Sequence, residues 1–424
     1  MRILSFADLH GVKTAAQCLT TVYERETRGG PVDLVVIGGD TSGSRLRFPT
    51  PELSNAYFER TALRELQQLS ERVPIMVLSG NTDFRVNFEY WAATYNTETL
   101  RFVSCGFWDF PEHGVCIGGY GFSNPCNHIL KDYERVSLAC DTEVPPGVRA
   151  WVAKGVSLHP PEAEPLTGGS WALGSPAPKR PVVCGVRSLD RDSWDTSDRH
   201  LICHHHVPYH SDRFTLGTAC HTVSSEEAVE GLVREAGPKG LSVLFSHCPP
   251  SDTNAAQTKL HGGAGCPGIR LALERNAGSV GLLVSGHIHE AVTQTGTCLD
   301  SVVGTGDGET REVAIASVGH DPHYVDIGDG TTKGWECVVE DLEGIPSTDM
   351  DGRPHPSATQ TLSYLVIDTD AMDTAHAQAS KGEGTLADAV SQGQGVVRHV
   401  VRIPADPLVL EVRAEWLAGK FSQR

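Results

Sequence analysis

Ile3-Leu4-Ser5-Phe6-Ala7-Asp8-Leu9-His10 joins a short apolar run to a polar Asp-Leu-His triplet. The run reads as a buried strand, and the polar residues that follow belong to the loop at its carboxyl end. The same construction recurs along the chain. Residues 33–37 (Asp-Leu-Val-Val-Ile) run into Gly39-Asp40, and residues 74–78 into Gly80-Asn81-Thr82-Asp83. Residues 241–245 lead to Ser246-His247-Cys248-Pro249-Pro250, and residues 282–284 to Gly286-His287-Ile288-His289. Residues 313–316 and 362–367 read as further strands, while residues 13–28, 54–69 and 268–276 space their apolar residues as helices do. Strands alternating with helices imply an α/β layered fold, in which loops leaving the strands' carboxyl ends converge on one crevice.

The residue types in those loops are those of a mixed nitrogen and oxygen metal site, because imidazole with carboxylate suits Mn, Fe, Zn or Ni better than Ca or Mg alone. A carboxylate shared by two ions would hold them roughly 3.5–4 Å apart, the separation used by two-metal hydrolases. Each motif alone is weak, since Asp-x-His and Gly-Asp pairs arise often by chance. Their common placement after strands, with glycines that let the backbone turn, makes a shared site the stronger reading.

The succession Asp-x-His, Gly-Asp, Gly-Asn-x-Asp, His, Gly-His-x-His resembles the calcineurin-like metallophosphoesterase superfamily over residues 1–125 and 240–320. The resemblance implies a four-layer αββα sandwich with a dinuclear metal centre at the sheet edge. It implies that Asp8, His10 and His289 hold one ion, that Asn81, His247 and His287 hold the other, and that Asp40 bridges them. Two divalent ions are expected, with Mn favoured in vitro, and a metal-bridging hydroxide is the expected nucleophile. Asp40 and Asn81 also count among the residues expected to take part in the reaction. Thr82 stands where most members carry a histidine, and threonine does not act as a general acid at neutral pH. That departure resembles the phosphodiesterase branch. The stretch from Lys259 to Gly265 is similar to the small 239AB-like phosphodiesterases and would bring His261 near the site. Asp83 is expected to orient a ligand or Thr82, with a turn-capping role as the alternative. The leading expectation is hydrolysis of a phosphodiester; the alternatives are a phosphomonoesterase or protein phosphatase, and a non-catalytic scaffold on the same fold.

Several further residues compete for roles. His200, His204, His205, His206 and His210 form a second histidine cluster, which rivals His247 as a ligand source or lines a substrate lid. Arg45, Arg47 and Arg85 are candidates for phosphate contact. Phe84, Phe88, Tyr90, Trp91, Tyr120 and Phe122 are candidates for stacking on a base or for the core, and Asn124 is a candidate for the cleft.

Composition bounds the rest. The 424 residues suffice for a large domain with insertions, and 44 Gly and 25 Pro point to long loops. Residues 1–368 are expected to form the metallophosphoesterase domain, with an insertion at approximately 124–240 made of loops. Residues 369–424 are expected to be a C-terminal linker and small extension, mobile over 369–395, with a strand at 396–403 and a helix at 408–417. The net charge of −18 works against an extended nucleic-acid grip and favours a small phosphate ester as partner. No apolar run approaches the roughly 20 residues that span a bilayer. Twelve cysteines without a Cys-x-x-Cys pair, together with an N-terminus unlike a signal peptide, lead to the expectation of reduced thiols in a cytoplasmic protein.

Overall fold

A computed structural model describes residues 1–42, 51–124, 133, 207–209, 213–215, 224–258, 262–263, 265–306, 309–319, 325–326, 339–349, 352–380, 385–393 and 395–406. Within them the chain builds two mixed sheets with helices outside. The first sheet holds β1 (Arg2–Phe6), β2 (Leu34–Ile37), β3 (Ile75–Leu78) and β4 (Leu100–Val103), all parallel. The second holds β5 (Cys105–Phe110), β6 (Val115–Tyr120), β7 (Leu241–Ser246), β8 (Val280–Ser285), β9 (Leu299–Gly306) and β10 (Glu309–Ser317). Its order is β9-β10-β8-β7-β6-β5, with β6, β7, β8 and β10 parallel. Two late strands, β11 (Thr359–Asp368) and β12 (Val396–Pro404), extend the first sheet beyond β1 by antiparallel pairing.

Strands β1, β2, β3, β7 and β8 are buried on both faces, which is why they read as continuous apolar runs. Alternate residues serve different cores. Ile3, Leu34, Val36, Met76 and Leu78 of the first sheet face Val243, Phe245, Leu282, Val284, Ala314 and Ala316 of the second. Leu4, Phe6, Val35, Ile37, Ile75 and Val77 point the other way, into the core that takes in α1 (Lys13–Thr27), α2 (Pro51–Arg60), α3 (Ala62–Ser70) and α4 (Arg85–Tyr95). Leu244, Leu283, Val313 and Ile315 do the same on the second sheet, toward α5 (Ser225–Glu235) and α6 (Pro267–Arg275). Helices, two sheets and helices again give the layered arrangement expected from the sequence.

Three local readings differ. The helix expected over 54–69 is two helices, α2 and α3, broken at Thr61, whose φ of −120° and ψ of −94° are not helical. The insertion expected as loops carries α5 at its end, started by a capping box of Ser224 and Glu227. Residues 369–395, expected as a mobile linker, hold α8 (Thr369–Ala379) and α9 (Leu386–Gln392), after α7 (Ala291–Thr295). Met372, Ala375, Leu386, Ala389 and Val390 of those helices enter the core between the sheets. The strand expected at 396–403 is β12, and the helix expected at 408–417 lies outside the described residues, as does most of the insertion.

Candidate metal centre

All five motif loops leave the carboxyl ends of parallel strands: β1, β2, β3, β7 and β8. Backbone hydrogen bonds weave them together. Asp8 N–H donates to the Gly39 carbonyl (3.1 Å), His10 N–H to the Asp40 carbonyl (2.7 Å), and Gly286 N–H to the His247 carbonyl (3.2 Å). Two glycines make the closeness possible. A Cβ on Gly80 would fall on Asp40, and one on Gly286 would lie 2.6 Å from Asp8 Oδ2.

Asp8 (φ 56°), His10 (46°), Asp40 (51°) and His287 (66°) adopt left-handed backbone, and Asp252 is the fifth such non-glycine residue among those described. Conformations of this kind are sparsely populated and cluster where surrounding structure holds a side chain in a required direction. Four of the five belong to the site.

The side chains then converge. His10 Nε2 lies 3.0 Å from His289 Nε2 and 3.5 Å from Asp40 Oδ2. On the other side, His247 Nε2 lies 2.8 Å from Asn81 Oδ1 and 3.5 Å from Asp40 Oδ1. Asp40 therefore presents one oxygen to each histidine, while His289 Nε2 stands 3.7 Å from Asp8 Oδ1. The His287 ring packs edge-on against His247 with centroids 5.0 Å apart, and its backbone N–H donates to both oxygens of Asp8 at 3.1 and 2.9 Å. Two groups of donor atoms close enough to share an ion result: Asp8, His10 and His289, and Asp8, Asp40 and His247.

The electrostatics show what such a site lacks. Asp8 and Asp40 are buried, and among the described residues their partners are histidines, Thr82 and the amide group of His287, with no lysine or arginine. Buried carboxylates need a positive partner. Burial alone would raise the Asp8 carboxyl, but His289, with His247 and His287 beyond it, holds it below the ordinary value. Burial raises Asp40, the Asp8 charge adds to that, and His247 opposes it. His247 Nδ1 lies 3.0 Å from the Gly38 carbonyl, which can only accept, so Nδ1 carries a proton and Nε2 is the nitrogen turned to Asn81 Oδ1 and Asp40 Oδ1. Carboxylate, amide oxygen and imidazole nitrogen aimed at one another fit divalent cations. His289 is the open side, with a quarter of its side chain exposed.

Asp83 and Thr82 act on the loops. Burial, with the Asp40 charge second, pushes the Asp83 carboxyl up to about 7. It accepts from Ser42 N–H (2.9 Å), Ser42 Oγ (2.7 Å) and Gly80 N–H (2.9 Å), so it ties the second motif to the third rather than facing Thr82. Thr82 N–H donates to Asp40 Oδ1 at 2.8 Å, and its hydroxyl stands 3.5 Å from His10 Nδ1.

Other candidates fall elsewhere. Phe84, Phe88, Trp91, Tyr120 and Phe122 are buried in the core, with Trp91 stacked on Phe58 at 3.8 Å, and Tyr90 is exposed on α4. Arg85 pairs with Glu89 one turn along α4. Asn124 Oδ1 accepts from Cys248 Sγ at 3.3 Å, beside the fourth motif. His261, Arg45, Arg47 and the cluster His200, His204, His205, His206 and His210 lie outside the described residues. A polar residue that the sequence did not single out, Ser42, proves to share in holding the second motif; its position two residues after Asp40 was the only signal.

Residues 1–180 match the family model described as calcineurin-like phosphoesterase, a span that contains the first three motifs but neither His247 nor the Gly-His-x-His pair. No curated protein matches. Similar solved structures include a 5'-nucleotidase precursor from Thermus thermophilus, at 10% identity and a TM-score of 0.35, covering 100% of this chain and 59% of that one. A putative 5'-nucleotidase from Staphylococcus aureus matches at 10% identity and TM-score 0.32, covering 87% of this chain and 50% of its own. An NAD nucleotidase from Haemophilus influenzae matches at 10% identity and TM-score 0.28, with coverages of 76% and 45%. The chain thus spans 45–59% of the length of these structures.

Proposed function

We propose that this chain, whose residues 1–180 match the calcineurin-like phosphoesterase model, is a member of that family and a two-metal hydrolase of phosphodiesters. The observation that carries the reading is Asp40, buried with no lysine or arginine partner among the described residues and directing one oxygen to His10 and the other to His247. Asp8, His10 and His289 would hold one divalent ion, Asn81, His247 and His287 the other, and Asp40 both. When bound, the ions supply positive charge to phosphoryl oxygens and acidity to water.

The chain's own residues do the positioning. The Gly38 carbonyl keeps the His247 proton on Nδ1, so that Nε2 is free to ligate. The Thr82 amide fixes one oxygen of Asp40, and Asp83 holds the loop that precedes it. No side chain of Thr82 or Asn81 delivers a proton to a departing alkoxide. A diester with a good leaving group therefore suits the site best. We place His261, from the stretch similar to the small phosphodiesterases, among the residues to be tested near the leaving group.

Mn²⁺-loaded protein should hydrolyse bis-p-nitrophenyl phosphate at least about tenfold faster, as kcat/KM, than p-nitrophenyl phosphate. Predominant monoester turnover would refute the diesterase reading while leaving metal-dependent hydrolysis intact. His261→Ala separates the two further: it should leave diester turnover within about threefold, whereas an acid serving a monoester would lose about 100-fold.

A further inference from the structure

The loop of the first motif contains three left-handed positions in four residues, Asp8, His10 and Gly11 (φ 66°), and passes straight into α1. Its leading side is tied to the second motif by the amides of Asp8, His10 and Gly11. Its trailing side meets the helix at Val12, whose side chain supplies no cap. The first helical amide, Lys13 N–H, donates instead to Asp406 Oδ2 at 2.7 Å, across 393 residues of sequence.

Asp406 is built for this contact. It is 1% exposed, and its own N–H donates to Gln360 Oε1 at 3.1 Å. Gln360, buried on β11, turns its Nε2 to Thr14 Oγ1 at 3.3 Å, one residue further along α1. The Lys13 ammonium pairs with Asp349 at 3.1 Å. The start of α1 is thus gripped by side chains from beyond residue 340, none within the segment that matches the phosphoesterase family.

We infer that Asp406 is a positioning residue of the metal centre: it caps α1 from the far end of the chain and so holds Asp8 and His10 in their left-handed conformations. The physical reason is that an uncommon backbone conformation persists only where both flanks are fixed. A carboxylate at a helix N-terminus satisfies an otherwise unpaired amide and sits favourably in the helix dipole. The inference rests on the metal-site reading above, and it gives the C-terminal segment a part in the site.

The test uses the full chain, stripped of metal, with Asp406→Ala, Asp406→Asn, Lys13→Pro and Lys13→Ala. Proline is well tolerated at the first helical position, Val12 is already extended (φ −70°, ψ 107°), and the substitution removes only the donated amide beyond what Lys13→Ala removes. Amide exchange over residues 8–14 and Mn²⁺ affinity by calorimetry are read for each. Asp406→Ala and Lys13→Pro should speed exchange of the loop and weaken Mn²⁺ binding by about tenfold, as loss of an outer partner does. Asp406→Asn, which keeps an acceptor oxygen, and Lys13→Ala should stay within about threefold of the native protein. Native-like exchange and affinity in both Asp406→Ala and Lys13→Pro would overturn the inference, and Lys13→Pro alone decides if Asp406→Ala does not fold. Absence of Mn²⁺ binding by the native protein would instead sink the metal-site reading, leaving loop exchange to decide the capping role.

Discussion

Asp40 is the residue on which the site turns, because one of its oxygens faces His10 and the other faces His247. Asp40→Asn keeps its shape and removes its charge; hydrolysis of bis-p-nitrophenyl phosphate should fall more than about 100-fold with little change in unfolding temperature. Gly286 offers a second test. A methyl group there would press on Asp8 Oδ2 and Ala7, so Gly286→Ala should weaken metal binding by about tenfold, measured by calorimetry, although it adds only one carbon. At this scale much was legible. Asp8, His10, Asp40, Asn81, His247, His287 and His289 were all read from short motifs, and all seven lie in described loops that meet. The tie between Asp83 and Ser42 was not, because its hydrogen bonds join residues 41 apart and depend on how two loops fold back on one another.

At the scale of elements, the parallel strands announced themselves as apolar runs, since burial on both faces leaves no polar alternation to confuse the pattern. The edge strand β5 was not legible, because Gly106 and Asp109 interrupt its apolar residues and Cys105, Phe107 and Asp109 are exposed, so it forms no continuous apolar run. The C-terminal helices were missed for a similar reason. Their sequences are rich in Ala, Asp, Gln and Ser, and only tertiary contact makes them order.

α8 is pinned by His376, whose Nε2–H donates to the Gly281 carbonyl at 3.0 Å. Burial lowers the His376 pKa despite that bond. A lowered value means that the folded state favours the neutral ring, so its stabilising contribution is present above the ordinary value near 6.5 and is lost as pH falls through the folded one. The difference in unfolding temperature between the native protein and His376→Gln should therefore be larger at pH 8 than at pH 5.5. The division at residue 368 stays a proposal about domain organisation, and β12 supplies its test. β12 pairs with β11 over nine positions, from Thr359–Pro404 to Ile367–Val396. A chain ending at 368 should lose cooperative unfolding or aggregate through the uncovered edge of β11.

For the molecule as a whole, the two sheets are a frame that delivers loops from both to one edge, with the candidate metal centre where the first sheet's β1, β2 and β3 approach the second sheet's β7 and β8. Its net charge of −18 sets a field that opposes any anionic substrate, so binding must come from local groups in the cleft. Raising ionic strength should accordingly leave or modestly raise kcat/KM for a small phosphate ester, whereas a protein gripping nucleic-acid backbone loses affinity steeply. The likeness to the phosphoesterase family model and the layered architecture were readable from the order of motifs. The contribution of the C-terminal segment was not, because Asp406 carries no local pattern and acquires meaning only when β11 and β12 bring it to the first helix.

The most direct test is a calorimetric titration of chelator-stripped protein with Mn²⁺, run beside Asp40→Asn and followed by turnover of bis-p-nitrophenyl phosphate at each metal ratio. Two ions per chain, activity that rises with the second, and loss of both in Asp40→Asn are the predicted results. Diester turnover by the stripped protein, or Mn²⁺ binding and turnover unchanged in Asp40→Asn, would contradict it.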